Sequence, residues 1–316
     1  MEVRIGDSIE CNPTVKLVKG NEYPLIDIDK ISVGRKLVTN KDTIVYEKQS
    51  GCKFQNGDTL MARITPCLEN GKMAMASIPD KGIGSTELFV FRGKKGITDN
   101  DFVYYFLKQS YIRNLAANSM TGASGRQRAD LKFIKKIKFD LPSLPIQQKI
   151  ASILSSYDCL IENNTRRIRL LEQMAENLYK EWFVRFRFPE HENVEMVNGL
   201  PKRWKVKRYE EELNIRYGKG LSTEQLKEEG YPVFGSNGQI GFYDSYMYED
   251  PQILISCRGA SSGIVNISLP KSFITSNSLI CERTEKTESL YEYLKYYFLN
   301  NNLVQYQTGS AQPQIT

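Results

Sequence analysis

From Ile146 to Arg185 the chain runs without a glycine or a proline. An unbroken stretch of about 40 residues makes a single helix of about 60 Å, at 1.5 Å per residue. Leu141-Pro142 and Leu144-Pro145 stand just before it and suit the end of a strand and the start of a helix. Its apolar residues, Ile146, Ile150, Ile153, Tyr157 and Leu160, then Ile168, Leu171, Ala175, Leu178 and Trp182, step by four and three on either side of Asn164. Such steps are those of a coiled-coil seam. Two consecutive steps of four around Asn164 interrupt the heptad, so supercoiling should relax there, and a polar residue on a seam fixes register. Few helices packed on their own domain exceed about 25 residues. This helix therefore needs a partner, and the chain holds no second stretch like it.

Both flanks have another texture, short apolar runs broken by turn signals such as Asn56-Gly57-Asp58, Glu69-Asn70-Gly71 and Arg92-Gly93-Lys94. One helix is expected within the first flank from Asp101, which can cap it, with Val103, Phe106, Leu107 and Ile112 near helical spacing. With 316 residues and 41% hydrophobic content, the chain has enough material for two cores. The expected architecture is α+β: a first mixed α/β domain at 1–142, the long helix at 143–188 and a second mixed domain at 189–316. A faint internal repeat links the domains. Tyr104-Tyr105-Phe106-Leu107 precedes Thr121-Gly122-Ala123-Ser124 in one, and Tyr296-Tyr297-Phe298-Leu299 precedes Thr308-Gly309-Ser310-Ala311 in the other.

Chemistry is conspicuous mainly by what is missing. Forty-three Lys and Arg against 37 Asp and Glu give a net charge of +6, which favours polyanionic partners. The six cysteines never fall in a two-residue-spaced pair, and the single histidine, His191, has no neighbours at metal spacing, so neither a metal site nor a disulfide framework is expected. No apolar leader opens the chain and no run of 18 apolar residues crosses it, so a cytoplasmic protein without membrane association is expected. The Pro-Pro-aromatic motif with which an adenine methyltransferase holds a flipped base does not occur. Pro79-Asp80 followed by Glu87-Leu88-Phe89 comes nearest to a metal-dependent nuclease motif but lacks its lysine. Tyr217-Gly218-Lys219-Gly220 lacks the spacing of a nucleotide-binding phosphate loop, and a glycine-assisted loop near DNA phosphate, or simply a turn, explains it better. No catalytic residue and no cofactor of the chain's own is expected.

The segment LPSLPIQQKIASILSSYDCLIENNTRRIRLLEQMAENLYKEWFVRFRFP resembles the central conserved region of type I restriction-modification specificity subunits. The resemblance rests on the Leu-Pro opening, the Gln-Gln-Lys-Ile helix start, Asp158 followed by Leu160-Ile161-Glu162-Asn163-Asn164 after Cys159, and the Trp182-Phe183 close. Gly199-Leu200-Pro201 with Trp204 resembles the opening of the second target-recognition domain of that family. It implies a non-catalytic subunit that reads a bipartite target on double-stranded DNA, its two recognition domains held apart by conserved helices. It further implies a methyltransferase subunit and a restriction subunit as partners, with S-adenosylmethionine, ATP and magnesium held on those partners. A helix of about 60 Å would keep the half-sites within two duplex turns of about 34 Å each. Against the family pattern the chain stops before a second conserved helix, so the seam is expected to pair with the same helix of another copy or with helices of the methylation subunit, and a truncated, non-productive or phase-variable subunit is the alternative. The expected subunit interface is Ile146, Ile150, Ile153, Tyr157, Leu160, Asn164, Ile168, Leu171 and Leu178, extended by the aromatics Tyr179, Trp182 and Phe183.

Base edges are read by Arg and Lys, which favour guanine, by Asn and Gln, which favour adenine, and by Ser and Thr. In the first domain the loop with Thr121, Ser124, Arg126, Gln127 and Arg128 is the best candidate. Arg63 and Thr65 at a strand end, with Lys72 as a phosphate contact, come next. In the second domain the candidates are Ser236, Asn237 and Gln239, then Arg258 and Ser261, then Asn277, then Thr308, Ser310 and Gln312, with Lys219 as a phosphate contact.

Overall fold

The computed structural model describes residues 2–123, 126–285, 287–301, 303–309 and 313–315. It divides into two units, Met1–Arg169 and Leu170–Thr316, with the division inside the long helix. That helix runs from Leu144 to Tyr179, 36 residues, and continues as a π-helical turn over Lys180–Val184.

In the first unit a five-stranded sheet has the order Ile9–Cys11, Leu88–Gly93, Thr59–Ala62, Met73–Ala76 and Leu37–Val38. Its first four strands are antiparallel neighbours. Thr59–Ala62 and Met73–Ala76 are buried at every position, because side chains alternate across a sheet covered on both faces. Met61, Met73, Phe89 and Phe91 share a core with helices Asn100–Lys108, Ser110–Asn118 and Leu131–Lys136. Leu60, Ala74, Leu88 and Val90 share a second core with Ile26 and Phe54, which belong to the smaller sheet Thr43–Val45, Glu22–Ile26, Lys81–Gly84 and Cys52–Gln55. The sequence-expected helix at Asp101 exists, but its cap is Asp99, whose carboxylate accepts from the Phe102 N–H. It breaks at Gln109 into two helices.

The second unit repeats the plan. Its four-stranded sheet, Asn214–Tyr217, Ser278–Glu282, Ile253–Ser256 and Val265–Ile267, is antiparallel throughout. Ile255, Leu279 and Cys281 pack with helix Tyr291–Asn300, whereas Leu254 and Ile280 pack with Phe234 and Ile274 of a three-stranded sheet, Gly238–Tyr243, Tyr231–Gly235 and Phe273–Ile274. Gly218 is required where the chain leaves the first of these strands, since a Cβ there would lie 2.2 Å from the Thr275 carbonyl oxygen. The Tyr217–Gly220 stretch is thus a backbone-packed turn: Lys219 N–H donates to the Ile274 carbonyl and Ser276 N–H to the Lys219 carbonyl.

The long helix is anchored at both ends by its sequence. Gln147 is fully buried; its amide donates to the Ile97 and Pro142 carbonyls and its oxygen accepts from Asp99 N–H. One turn and two turns on, Ala151 enters the first core and Ser155 accepts from the Lys36 ammonium, which also meets Asp101. Tyr105 Oη donates to Asp158 at 2.5 Å. At the other end Tyr179, 5% exposed, lies among Phe183, Tyr293 and Tyr296, and Phe183 packs on Trp204. Tyr179, expected at a subunit interface, is instead buried inside the second unit, because helix Tyr291–Asn300 brings matching aromatics to it, and Phe183 is half-buried beside Tyr293. Between the anchors every residue from Cys159 to Met174 is exposed.

Candidate nucleic-acid interface

At one end of the first sheet the chain after strand Thr59–Ala62 is stitched to the loop after the helices. Ala129 N–H donates to the Arg63 carbonyl at 2.8 Å and Thr65 N–H to the Gln127 carbonyl at 3.0 Å. The loop closes on itself through Thr121 and Arg128, which exchange both backbone hydrogen bonds at 3.1 and 3.0 Å. Arg63 N–H in turn donates to the Glu87 carbonyl at 3.0 Å. Five sequence-selected residues, Arg63, Thr65, Thr121, Gln127 and Arg128, thereby meet in one place, with Arg126 at the loop tip and exposed. Ser124 lies outside the described residues.

The side chains give this place a definite polarity. Arg128 donates from Nε and Nη2 to both Glu87 carboxylate oxygens at 2.6–3.1 Å. The Arg128 guanidinium holds the Glu87 carboxyl below the usual carboxylate range. The Arg63 guanidinium lies over the Phe89 ring at 4.9 Å, and its buried Nε has no hydrogen-bond partner among the described residues. A cleft of about 590 Å³ is lined by Asn12, Arg63, Thr121, Arg128, Lys132 and Lys135 among others. Thr65 Oγ1 is turned to Glu69, and the Lys72 ammonium donates to the Ile28 carbonyl at 3.1 Å. Asn12, Glu87, Lys132 and Lys135 were not selected from sequence. Only the fold brings residue 12 and the helix Leu131–Lys136 beside the loop.

The second unit has the same stitching at the same end of its sheet. Ile315 N–H donates to the Cys257 carbonyl and Gly259 N–H to the Pro313 carbonyl, both at 3.0 Å. Thr308 and Gln314 exchange both backbone hydrogen bonds at 2.8 and 2.9 Å, and Cys257 N–H donates to the Asn277 carbonyl at 3.0 Å. Arg258, Asn277, Thr308 and Gln314 are exposed there. The hairpin turn at Ser236 and Asn237 is tied to the same strand ends, since Ser278 Oγ donates to the Gly235 carbonyl at 3.2 Å and Ser256 Oγ to the Ser236 carbonyl. Lys219 is exposed beside the Ser276-Asn277 turn, and Ser261 is half-buried. Gln239 is exposed on strand Gly238–Tyr243. Ser310 and Gln312 lie outside the described residues, and Gln314 was missed because two residues decide which glutamine closes the loop.

Among the described residues no group of three or more His, Cys, Asp or Glu is placed to hold a metal ion. Burial pushes the Cys11 thiol up to about 11 and the Cys52 and Cys281 thiols up to about 12. No helix among the described residues is long and apolar enough to cross a membrane.

The family described as the type I restriction modification DNA specificity domain matches residues 2–173 and 201–316, one copy on each unit's stitched sheet. The chain belongs to this family. Among its specificity-subunit relatives, the type I restriction enzyme MjaVIII specificity subunit of Methanocaldococcus jannaschii is 28% identical over 72% of this chain and 52% of that protein. The MjaIX specificity subunit of the same organism is 31% identical over 42% of this chain and 31% of its own length. The chain thus spans from about a third to about half of the length of these relatives. The crystal structure of a type I restriction-modification system S subunit from M. genitalium shares the fold, with a TM-score of 0.52 and 17% identity over 94% of this chain and 77% of that one. The specificity-family match therefore agrees with the expected α+β architecture of sheet-rich domains joined by a long helix.

Proposed function

We propose that this chain is a non-catalytic specificity subunit that reads a bipartite target on double-stranded DNA, one half-site per unit. One observation carries this reading: each unit ends its sheet in the same stitched loop, with exposed guanidinium or amide side chains on it. Those groups are the donors and acceptors that distinguish base edges in a major groove. Lys132, Lys135 and Lys219 supply phosphate contacts that position the units without reading sequence.

The exposed seam is the partner surface. Ile146 is 53% exposed, Tyr157 63% and Leu171 62%, and Ile150, Ile153, Leu160, Ile168 and Leu178 are exposed as well. Burying each contributes about 1.5 to 3 kcal/mol, enough to hold helices of a methylation subunit and, through it, an ATP-dependent restriction subunit. S-adenosylmethionine, ATP and magnesium belong on those partners. Host genomic fragments retained by the full chain with its methylation subunit should be enriched in two short sequence blocks at fixed spacing. Retention without any enriched sequence would contradict the reading. Complete modification of the enriched sites in cells would rule out the non-productive form.

Self-association is favoured by one further observation. From Asn164 the seam steps by four, three, four, three and four in either direction, as an antiparallel pair about a two-fold axis through Asn164 requires. Light scattering of the chain alone at micromolar concentration decides it: a dimer supports self-pairing, and a monomer leaves the seam to the methylation subunit.

A further inference from the structure

The backbone hydrogen bonds align the two units residue by residue around the stitched loop. Arg63 corresponds to Cys257 through their bonds to residues 87 and 277, Thr121 to Thr308 through the loop closure, and Arg128 to Gln314. Strand pairing agrees independently: Ala62 faces Leu88 as Ser256 faces Ser278. Glu87 therefore corresponds to Asn277. At one structural position the first unit carries a carboxylate and a guanidinium, and the second carries two amides.

The charged pair leaves a particular edge free. Arginine has five N–H donors. In Arg128 the Nε and one Nη2 donor meet Glu87, and one Nη1 donor meets the Arg126 carbonyl at 3.4 Å. The two left over among contacts to the described residues, one on each terminal nitrogen, belong to a side chain 44% exposed. A fork held rigid by a carboxylate matches the O6 and N7 acceptors of guanine. Gln314, exposed at the corresponding position, offers one donor and one acceptor, which match adenine N7 and N6.

Resting on the reading that both units bind DNA, we propose that Arg128 braced by Glu87 reads a guanine in one half-site, and that Gln314 reads an adenine at the corresponding position of the other. The loop position is shared; the base it selects differs because the side chain differs.

The test is selection from a pool of randomised duplex DNA by the full chain with its methylation subunit. The double variant Glu87→Asn, Arg128→Gln should turn one guanine of one half-site into adenine, with a preference of about 10- to 100-fold, and leave the other half-site unchanged. Asn277→Glu with Gln314→Arg should make the reverse change at one position of the other half-site. Arg128→Lys keeps the charge but loses the fork, so it should lose the guanine preference at that position alone. The assignment is overturned if either double variant selects the wild-type sequence, or if preference falls evenly across a half-site while thermal unfolding is unchanged. Wild-type protein that selects no sequence would instead sink the DNA reading itself, and this assignment with it.

Discussion

The two units solve one folding problem with different polar residues. Their sheets share strand order, and their apolar positions agree: Leu60 and Leu254 face one core, Met61 and Ile255 the other. Polar positions on the same strands do not agree. Arg92 in the first unit forms a two-pronged pair with Asp58 at 2.7 Å, the carboxylate being fully buried. Its strand equivalent in the second unit is Glu282, which accepts from Tyr248 Oη at 2.7 Å and pairs with Arg216. The apolar alternation on both faces is common to the two sheets, whereas the polar residues along the same strands differ without changing the fold.

The sharpest way to break the comparison is at a position only one unit has. Asp58→Ala removes the buried carboxylate that accepts from the part-buried Arg92 guanidinium and the Gln55 N–H, and should cost about 3 kcal/mol, read by denaturant unfolding as loss of the first unit with the second half-site still recognised. Gly218→Ala is the counterpart: with a carbonyl at 2.2 Å from the new Cβ, overpacking should cost about 1 to 3 kcal/mol and weaken only the second half-site. An equal effect on both units from either change would show that they fold as one body.

Smaller effects sharpen the division between reading and positioning. Leu160→Asp on the exposed seam should leave unfolding within about 0.5 kcal/mol of wild type while weakening association with the partner helix, measured by sedimentation. Lys132→Ala and Lys135→Ala should weaken all duplexes alike and each lower the salt slope of binding by about 1, whereas Arg128→Lys changes selectivity. The smallest effect is in acid. Glu87 has its folded-state pKa lowered by Arg128, so its contribution to stability is fully present above the ordinary carboxylate value of 4.5 and is lost as pH falls through the folded value. The stability difference between wild type and Glu87→Gln should shrink as pH falls below that point and stay constant above it.

Much of this is legible in the sequence. The absence of glycine and proline from Ile146 to Arg185 and the seam spacing mark the long helix, and the paired Thr-Gly loops mark the repeat. Local signals marked Arg63 and Arg128, because turn chemistry and basic residues coincide there. What stayed hidden depends on long-range pairing. Glu87 meets Arg128 across 41 positions of chain, and Gln314 is singled out only by its hydrogen bonds to Thr308. The burial of Tyr179 was equally illegible, since an aromatic at the end of an apolar stripe looks alike whether it meets a partner or its own chain.

The central claim is that two unlike surfaces on one fold read two unlike half-sites. Base-resolution mapping of N6-methyladenine in DNA from cells making this chain with its cognate methylation subunit tests it most directly. The account predicts a motif of two defined blocks around an unspecified spacer, the blocks not being inverted repeats of each other. A symmetric motif, a single block or no methylation at all would contradict it.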